Sequence, residues 1–179
     1  MFGASQGAFA TKICVEENNI RRIPEGWSFR DAAGLFVTAP TSYAALVTRA
    51  GVRAGETVLV HAGAGGVGLA AIQIAKALGA RVLASAGSEE KRRVCVDFGA
   101  DGTVDYTRPD WVERVNELTG GRGADVVFDP VGLVGRSLSC TARNGRVLVV
   151  GFAGGRIEEV KMNRVYVTYP QPPSERERG

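Results

Sequence analysis

The run Thr57-Val58-Leu59-Val60-His61-Ala62-Gly63-Ala64-Gly65-Gly66-Val67-Gly68 constrains this chain more than any other stretch. Its first residues are apolar and β-branched, as in a buried strand, and a helical pattern follows its last glycine. Between them Gly63, Gly65 and Gly68 fill the spacing G-x-G-x-x-G. In a dinucleotide-binding βα turn each of these glycines has a physical task. Gly63 is expected to permit a tight turn out of the strand. Gly65, without a Cβ, lets a pyrophosphate come close to the backbone. Gly68 lets the helix pack tightly on the sheet. The phosphates would then face unpaired N–H groups at the positive end of the helix. In a chain with 24 glycines the same spacing also suits a plain glycine-rich turn. The strand before it and the helix after it favour the dinucleotide reading.

From residue 57 onward, apolar runs alternate with helical ones. The pattern predicts strands at 57–61, 81–85, 102–105, 124–128 and 146–150, and helices at 66–78, 88–98, 109–119 and 136–142. On the first helix Val67, Ala70, Ala71, Ile74 and Leu78 share a face, and Gly79 ends it. Ser88 is placed to cap the second helix, with Glu89 and Glu90 in its first turn, where negative charge suits the dipole. Pro109 is placed near the first position of the third. Strands apolar on both faces fit a parallel sheet covered by helices. The expected fold class is α/β, a Rossmann-type doubly wound parallel sheet of five strands, incomplete, in the order 3-2-1-4-5. Ligands in such sheets lie at the switch point beside strand one.

Upstream, Gly7–Val15 alternates weakly like a strand, and Ile20–Pro24 approaches a turn. Two helical stretches follow at 28–35 and 42–48. Ser28 with Asp31 three residues later has the form of a capped N-terminus. Downstream, residues 167–179 hold Pro170, Pro172 and Pro173 and then Ser-Glu-Arg-Glu-Arg-Gly, a composition that cannot bury anything and is expected to be disordered.

Bulk properties exclude several classes. A net charge of +3, with Lys and Arg scattered, gives no footprint for nucleic acid. No apolar run approaches the roughly 18 residues of a membrane span, and the N-terminal residues show no secretory signal. Cys14, Cys95 and Cys140 are far apart and there is one histidine, so neither a disulfide framework nor a metal site is indicated. Free thiols point to a reducing, cytoplasmic setting.

The short motifs Pro40-Thr41-Ser42-Tyr43-Ala44-Ala45-Leu46, Val58–Gly63, Gly66-Val67-Gly68, Ala86-Gly87-Ser88, Gly99-Ala100-Asp101, Asp105-Tyr106 and Asp129-Pro130-Val131-Gly132 occur in order and at matching spacing. Together the chain resembles the zinc-free quinone oxidoreductases of the medium-chain dehydrogenase/reductase superfamily, from about residue 5 to about residue 164. The resemblance implies an oxidoreductase that transfers a hydride from NADPH to a quinone or an activated alkene. It also implies a dinucleotide-binding domain, the C-terminal domain of alcohol dehydrogenase-like enzymes, over residues 39–166. Residues 1–38 then correspond to the end of the family's GroES-like domain and its connector. Most of that second domain is expected to be missing, as is the sixth strand on which the family's homodimer interface is built.

Carried over residue by residue, the resemblance assigns a cofactor site. Ala64, Gly65, Gly66 and Val67 would offer backbone N–H groups to the pyrophosphate. Gly87, Ser88 and Lys91 would surround the 2′-phosphate, with Tyr106 beside it. Thr41, Gly151 and Phe152 would lie around the nicotinamide. The residues themselves point the same way on cofactor choice. An NAD site places an acid at the end of strand two, and this chain has Ser85-Ala86-Gly87-Ser88 there. NADPH is therefore expected over NADH. Ser88 and Lys91 also read simply as a helix cap and a solvated cation, and Tyr106 as packing on the sheet edge.

No catalytic side chain is expected. Asp129 reads as the end of a strand turning into a loop, and His61 as a structural histidine. Hydride transfer leaves the chemistry to the cofactor, while the protein supplies position and a dry pocket. Two further readings stand beside this one. A truncated relative would bind NADP(H) without turning over a substrate. A methyltransferase also carries glycines after strand one, but would want the acid that Ser85-Ala86 does not provide.

Overall fold

A computed structural model of the chain describes residues 2–3, 10–155 and 159–161. Its centre is a parallel sheet of five strands: β1 (Thr57–Val60), β2 (Arg81–Ser85), β3 (Gly102–Val104), β4 (Ala124–Asp129) and β5 (Thr141–Val149). They lie side by side in the order β3-β2-β1-β4-β5, all parallel. The expected order is found. Among the described residues five helices connect or flank the strands: α1 (Phe29–Tyr43), α2 (Gly66–Ala77), α3 (Glu89–Asp97), α4 (Trp111–Leu118) and the short α5 (Val134–Ser137).

Alternation along the strands builds two cores. Val58 and Val60 of β1, Val82 and Ala84 of β2, and Val126 and Phe128 of β4 face one way, against Leu46, Ala71, Ile72, Ala75 and Cys95. Leu59, Leu83 and Val127 face the other, against Trp111, Val112 and Val115 of α4. Both faces are covered, which is why these strands read as continuous apolar runs. Gly79 and Gly99 end α2 and α3 with φ of +78° and +106°, a backbone shape that suits glycine at a helix end.

Several expectations about the elements change. The stretches at 28–35 and 42–48 belong to one continuous helix α1 that includes Pro40, followed by a π-helical turn over Ala44–Arg49. Interior proline ordinarily breaks a helix. Here one face of α1 is tied to α2, with the Ser42 hydroxyl donating to Val67 O at 2.8 Å. Pro109 does not open α4; it precedes Asp110, whose carboxylate accepts two bonds from Arg108 instead of capping the helix. The helix expected at 136–142 is α5 plus a 3-10 turn over Leu138–Cys140, and Thr141 already belongs to β5.

Because Thr141 pairs with Ala124 while Arg146 pairs with Val126, β5 bulges between them. Asn144, at φ +62°, supplies the left-handed residue that the bulge needs. Of the expected strand at 7–15, residues 7–9 lie outside the described residues and 10–15 form no strand. That segment is exposed throughout its described part and has nothing to bury. Ile20–Arg21 instead pairs antiparallel with Phe2–Gly3. Residues 167–179 also lie outside the described residues. No helix among the described residues is long and apolar enough to cross a membrane.

Candidate functional site

The carboxyl ends of β1 and β4 meet where the strand order reverses, and the glycine turn hangs over that point. His61 extends the β1–β4 ladder, its N–H donating to Phe128 O at 3.0 Å. The turn then bends at Ala62, which takes φ +47°. The left-handed residue is thus Ala62 and not Gly63. Gly63 has another reason: a Cβ there would lie 2.9 Å from both Ala84 Cβ and Cys95 Sγ. A Cβ on Gly68 would lie 2.3 Å from Ala62 O and 2.8 Å from Gly63 Cα, so this glycine sets how closely α2 approaches the turn.

Gly65 N–H donates to Ala62 O at 2.9 Å, and Gly65 O accepts from Leu69 N–H at 2.8 Å. Gly65 therefore spends its own donor inside the turn and contributes an open approach. Gly66 and Val67 begin α2, where the N–H groups of a first turn have no acceptor within the helix. Gly65 and Gly66 are exposed, while Ala64 and Val67 are half-buried. Above them lies α1. A Cβ on Gly66 would come within 2.9 Å of Thr38 Cγ2, and Ser42 bonds Val67 as described. Thr38 and Ser42 are neighbours of the glycine turn that were not among the expected site residues. Their signal was present, since two hydroxyl residues four apart share one helical face. Thr41 occupies the same last turn of α1, half-buried.

At the end of β2, Ser85 is buried and turned inward to His61. Ala86 N–H continues toward β3, donating to Val104 O at 3.0 Å. Gly87 follows with Tyr106 stacked against it: a Cβ there would meet Tyr106 Oη at 3.0 Å and Thr107 Cγ2 at 3.2 Å. A side chain at Gly87 would crowd Tyr106 and Thr107, which would have to give by a few tenths of an ångström. Ser88 caps α3 as expected, its Oγ accepting from Lys91 N–H at 3.3 Å. Three cations follow in sequence. Arg92 pairs with Asp105 and Arg93 with Glu89, whereas Lys91, exposed, pairs with no carboxylate among the described residues. Gly87 and Tyr106 thus belong to adjoining loops after β2 and β3, with Ser88 and Lys91 at the start of α3.

The third group lies beyond β4 and β5. The Asp129 carboxylate, buried, accepts from the N–H groups of Val131, Gly132 and Leu133 at 2.9, 2.8 and 2.6 Å. It is the cap of this turn, its oxygens taken up by three backbone N–H groups. Val150 N–H donates to Asp129 O at 2.8 Å and Ala153 N–H to Pro130 O at 3.0 Å, which folds the segment after β5 back along the β4 turn. Gly151 lies against Pro130 O, where a Cβ would come within 3.2 Å. Phe152 is 46 % exposed and Val149 51 %.

His61 is structural. It is fully buried, with Nδ1 2.8 Å from Ser85 Oγ and Nε2 2.9 Å from Ser137 Oγ. Burial pushes its pKa down to about 4, only partly opposed by the negative charge of Asp129. Burial also pushes the Cys140 thiol up to about 12 and raises that of Cys95. These thiols stay protonated at neutral pH and are poor nucleophiles.

Comparison with known proteins fits this geometry. Residues 66–171 match the protein family described as zinc-binding dehydrogenase. The chain is 43% identical over 157 residues to quinone oxidoreductase-like protein 2 of Bos taurus, covering 86% of this chain and 45% of the bovine protein. Among solved structures it superposes on the Escherichia coli quinone oxidoreductase complexed with NADPH at TM-score 0.77 and 35% identity, covering 88% of this chain and 50% of that one. An NAD-dependent alcohol dehydrogenase gives TM-score 0.78 and 41% identity, over 86% of this chain and 46% of that one. The chain therefore spans about half the length of the relatives it matches. The family's description names zinc, but among the described residues no three of His, Cys, Asp and Glu gather as a metal site, so these residues do not fit the ion. With the sheet order, the glycine turn and the family match in agreement, the chain belongs to the zinc-binding dehydrogenase family, as a quinone oxidoreductase-like member of the medium-chain dehydrogenase/reductase superfamily.

Proposed function

We propose that this chain is the cofactor-binding part of an NADPH-dependent oxidoreductase that reduces a quinone or an activated alkene. One observation carries the reading. The open glycine cradle of α2 adjoins a β2 loop, Ser85-Ala86-Gly87-Ser88, that carries no acid and on which Tyr106 crowds Gly87, and Lys91 pairs with no carboxylate among the described residues. An acid there would bond the ribose 2′-OH of NAD, whereas a cation and a hydroxyl suit a 2′-phosphate.

On this reading the N–H groups of Gly66 and Val67 bind the pyrophosphate, with Ala64 and Gly65 leaving it room. Ser88, Lys91 and Tyr106 hold the 2′-phosphate. Thr41, Gly151 and Phe152 flank the nicotinamide end. When bound, NADPH supplies the hydride. The chain's own residues bind, orient and shield one side from water. His61 and Asp129 are already satisfied, so the proton for a reduced quinone oxygen comes from solvent.

A second reading, nucleotide binding without turnover, has its own support in the exposure of Val149 and Phe152 at and just after the end of β5. Thermal unfolding with NADPH, and with NADH as control, tests both. A ligand that binds only the folded state at about 100 times its Kd adds about 2.7 kcal/mol, about 5 °C or more for a chain of this size. A larger shift with NADPH than with NADH is expected; no shift with either cofactor would sink both readings. Loss of NADPH absorbance with a soluble quinone then separates them.

A further inference from the structure

We infer that Arg92 is a positioning residue for cofactor choice, pinning the loop that carries Tyr106 over Gly87. The inference rests on the NADPH reading above and names the device that holds its 2′-phosphate end in shape.

Arg92 projects from the first turns of α3 into the gap between the β2 and β3 loops. Its Nη1 lies 2.9 Å from Asp105 Oδ2 and donates to Ala86 O at 3.3 Å. One guanidinium thus ties the residue just before Gly87 to the residue just before Tyr106. The other oxygen of the same carboxylate, Asp105 Oδ1, accepts from Thr107 N–H at 3.0 Å and Thr107 Oγ1 at 2.6 Å, forming the short turn on which Tyr106 sits. These hydrogen bonds from Thr107, and then the Arg92 charge, hold the Asp105 carboxyl below the usual carboxylate range. Both side chains of the pair are about three-quarters covered, at 24% and 23% exposure, unlike the open pairs Arg93–Glu89, Arg108–Asp110 and Arg114–Glu117.

Tyr106 itself is 38% exposed and is carried by this turn, its ring against Gly87. Its ring must stay on Gly87 for the hydroxyl to face the space beside Ser88 and Lys91. Arg92 makes no use of that space, because its bonds run to Asp105 and Ala86. It acts through Tyr106. The division of labour among the three consecutive cations follows: Lys91 is left for a ligand, Arg92 holds the platform, and Arg93 pairs along its own helix with Glu89.

The test is calorimetric Kd for NADPH and NADH on the full chain, with Arg92→Gln, Arg92→Lys, Asp105→Asn, Tyr106→Phe and the double variant Arg92→Gln/Tyr106→Phe. Loss of a hydrogen bond to a charged group predicts that Arg92→Gln and Asp105→Asn each weaken NADPH binding about tenfold. NADH binding should change by less than about twofold, since it has no 2′-phosphate. Arg92→Lys should recover most of the loss. In the Tyr106→Phe background, Arg92→Gln should add less than about twofold, because coupled residues are not additive. Should Arg92→Gln not unfold cooperatively, Asp105→Asn alone decides the first comparison.

Equal losses for both cofactors, or losses that add fully in the double variant, would overturn the role of Arg92 while leaving the NADPH reading intact. A wild-type chain with no preference for NADPH would overturn that reading and the inference together. The two failures are therefore distinguishable.

Discussion

Two glycines three residues apart in one turn do different physical jobs, and substitution separates them. At Gly68 a Cβ would be driven into the backbone of Ala62 and Gly63, which cannot rotate away. Gly68→Ala is expected to destabilise the fold by about 3 kcal/mol, the upper end of the cost of overpacking. At Gly65 the nearest obstacle is Ala62 O at 3.2 Å, and the rest of its surroundings is open. Gly65→Ala should keep its unfolding midpoint within about 1 kcal/mol of the parent but lose most of the NADPH-induced shift, since the added methyl occupies the approach to the backbone. Chemical denaturation and thermal shift on both variants check the pair; a Gly65→Ala chain that still responds fully to NADPH would remove the cradle from the site. The spacing of these glycines was legible in the sequence. Which residue bends the chain was not: the left-handed residue is Ala62, while Gly63 is demanded by the closeness of Ala84 and Cys95.

Among the elements, α1 shows how local signals and tertiary contacts divide the work. Its start is written locally. Ser28 Oγ accepts from Asp31 N–H at 3.1 Å, and the Asp31 carboxylate accepts from Ser28 N–H at 3.2 Å. Ser28→Ala should therefore cost about 1 kcal/mol, seen as a midpoint lowered by about 2–4 °C; an unchanged midpoint would mean that the first turn of α1 frays without penalty. The course of the helix past Pro40 is not written locally, because proline removes a donor and crowds the preceding turn. It depends on α2, through Ser42 on Val67 and Thr38 on Gly66. α2 and α3, by contrast, keep to their sequence signals, with apolar spacing inside and a glycine just beyond the end. α5 and the start of β5 departed from theirs, because the bulge after Thr141 is stabilised by pairing with Ala124, 17 residues away.

Across the whole molecule, His61 joins β1 to β2 through Ser85 and to α5 through Ser137, with Trp111 of α4 edge-on at 5.3 Å. Its neutral form is the one the fold accepts. An unfolded histidine titrates at 6.5 and the buried one at about 4, so between those values the unfolded chain binds a proton that the folded chain refuses. This stability is present above pH 6.5 and is lost as pH falls toward 4, by about 3 kcal/mol in all. Denaturant unfolding at pH 7.5 and pH 5 should show the loss, and His61→Gln should flatten it. An unchanged slope in that variant would assign the acid sensitivity elsewhere. Glu56 and Asp101 titrate in a lower window. Burial works against both charges, yet Arg146 with the N–H and charge of Arg53 for Glu56, and Lys76 with the Val82 N–H and the Arg81 charge for Asp101, together hold their carboxyl groups below the ordinary range.

The sequence by itself determined the strand order, the turn over the switch point, and the absence of an acid after β2, because each depends on residue type and period along a short stretch. Only the tertiary structure decided that Tyr106 covers Gly87, that Arg92 bridges to Asp105, and that α1 runs unbroken over the glycine turn. Those facts depend on contacts between segments distant along the chain, such as Ser42 with Val67, where the energy lies in packing and paired groups that no local pattern records.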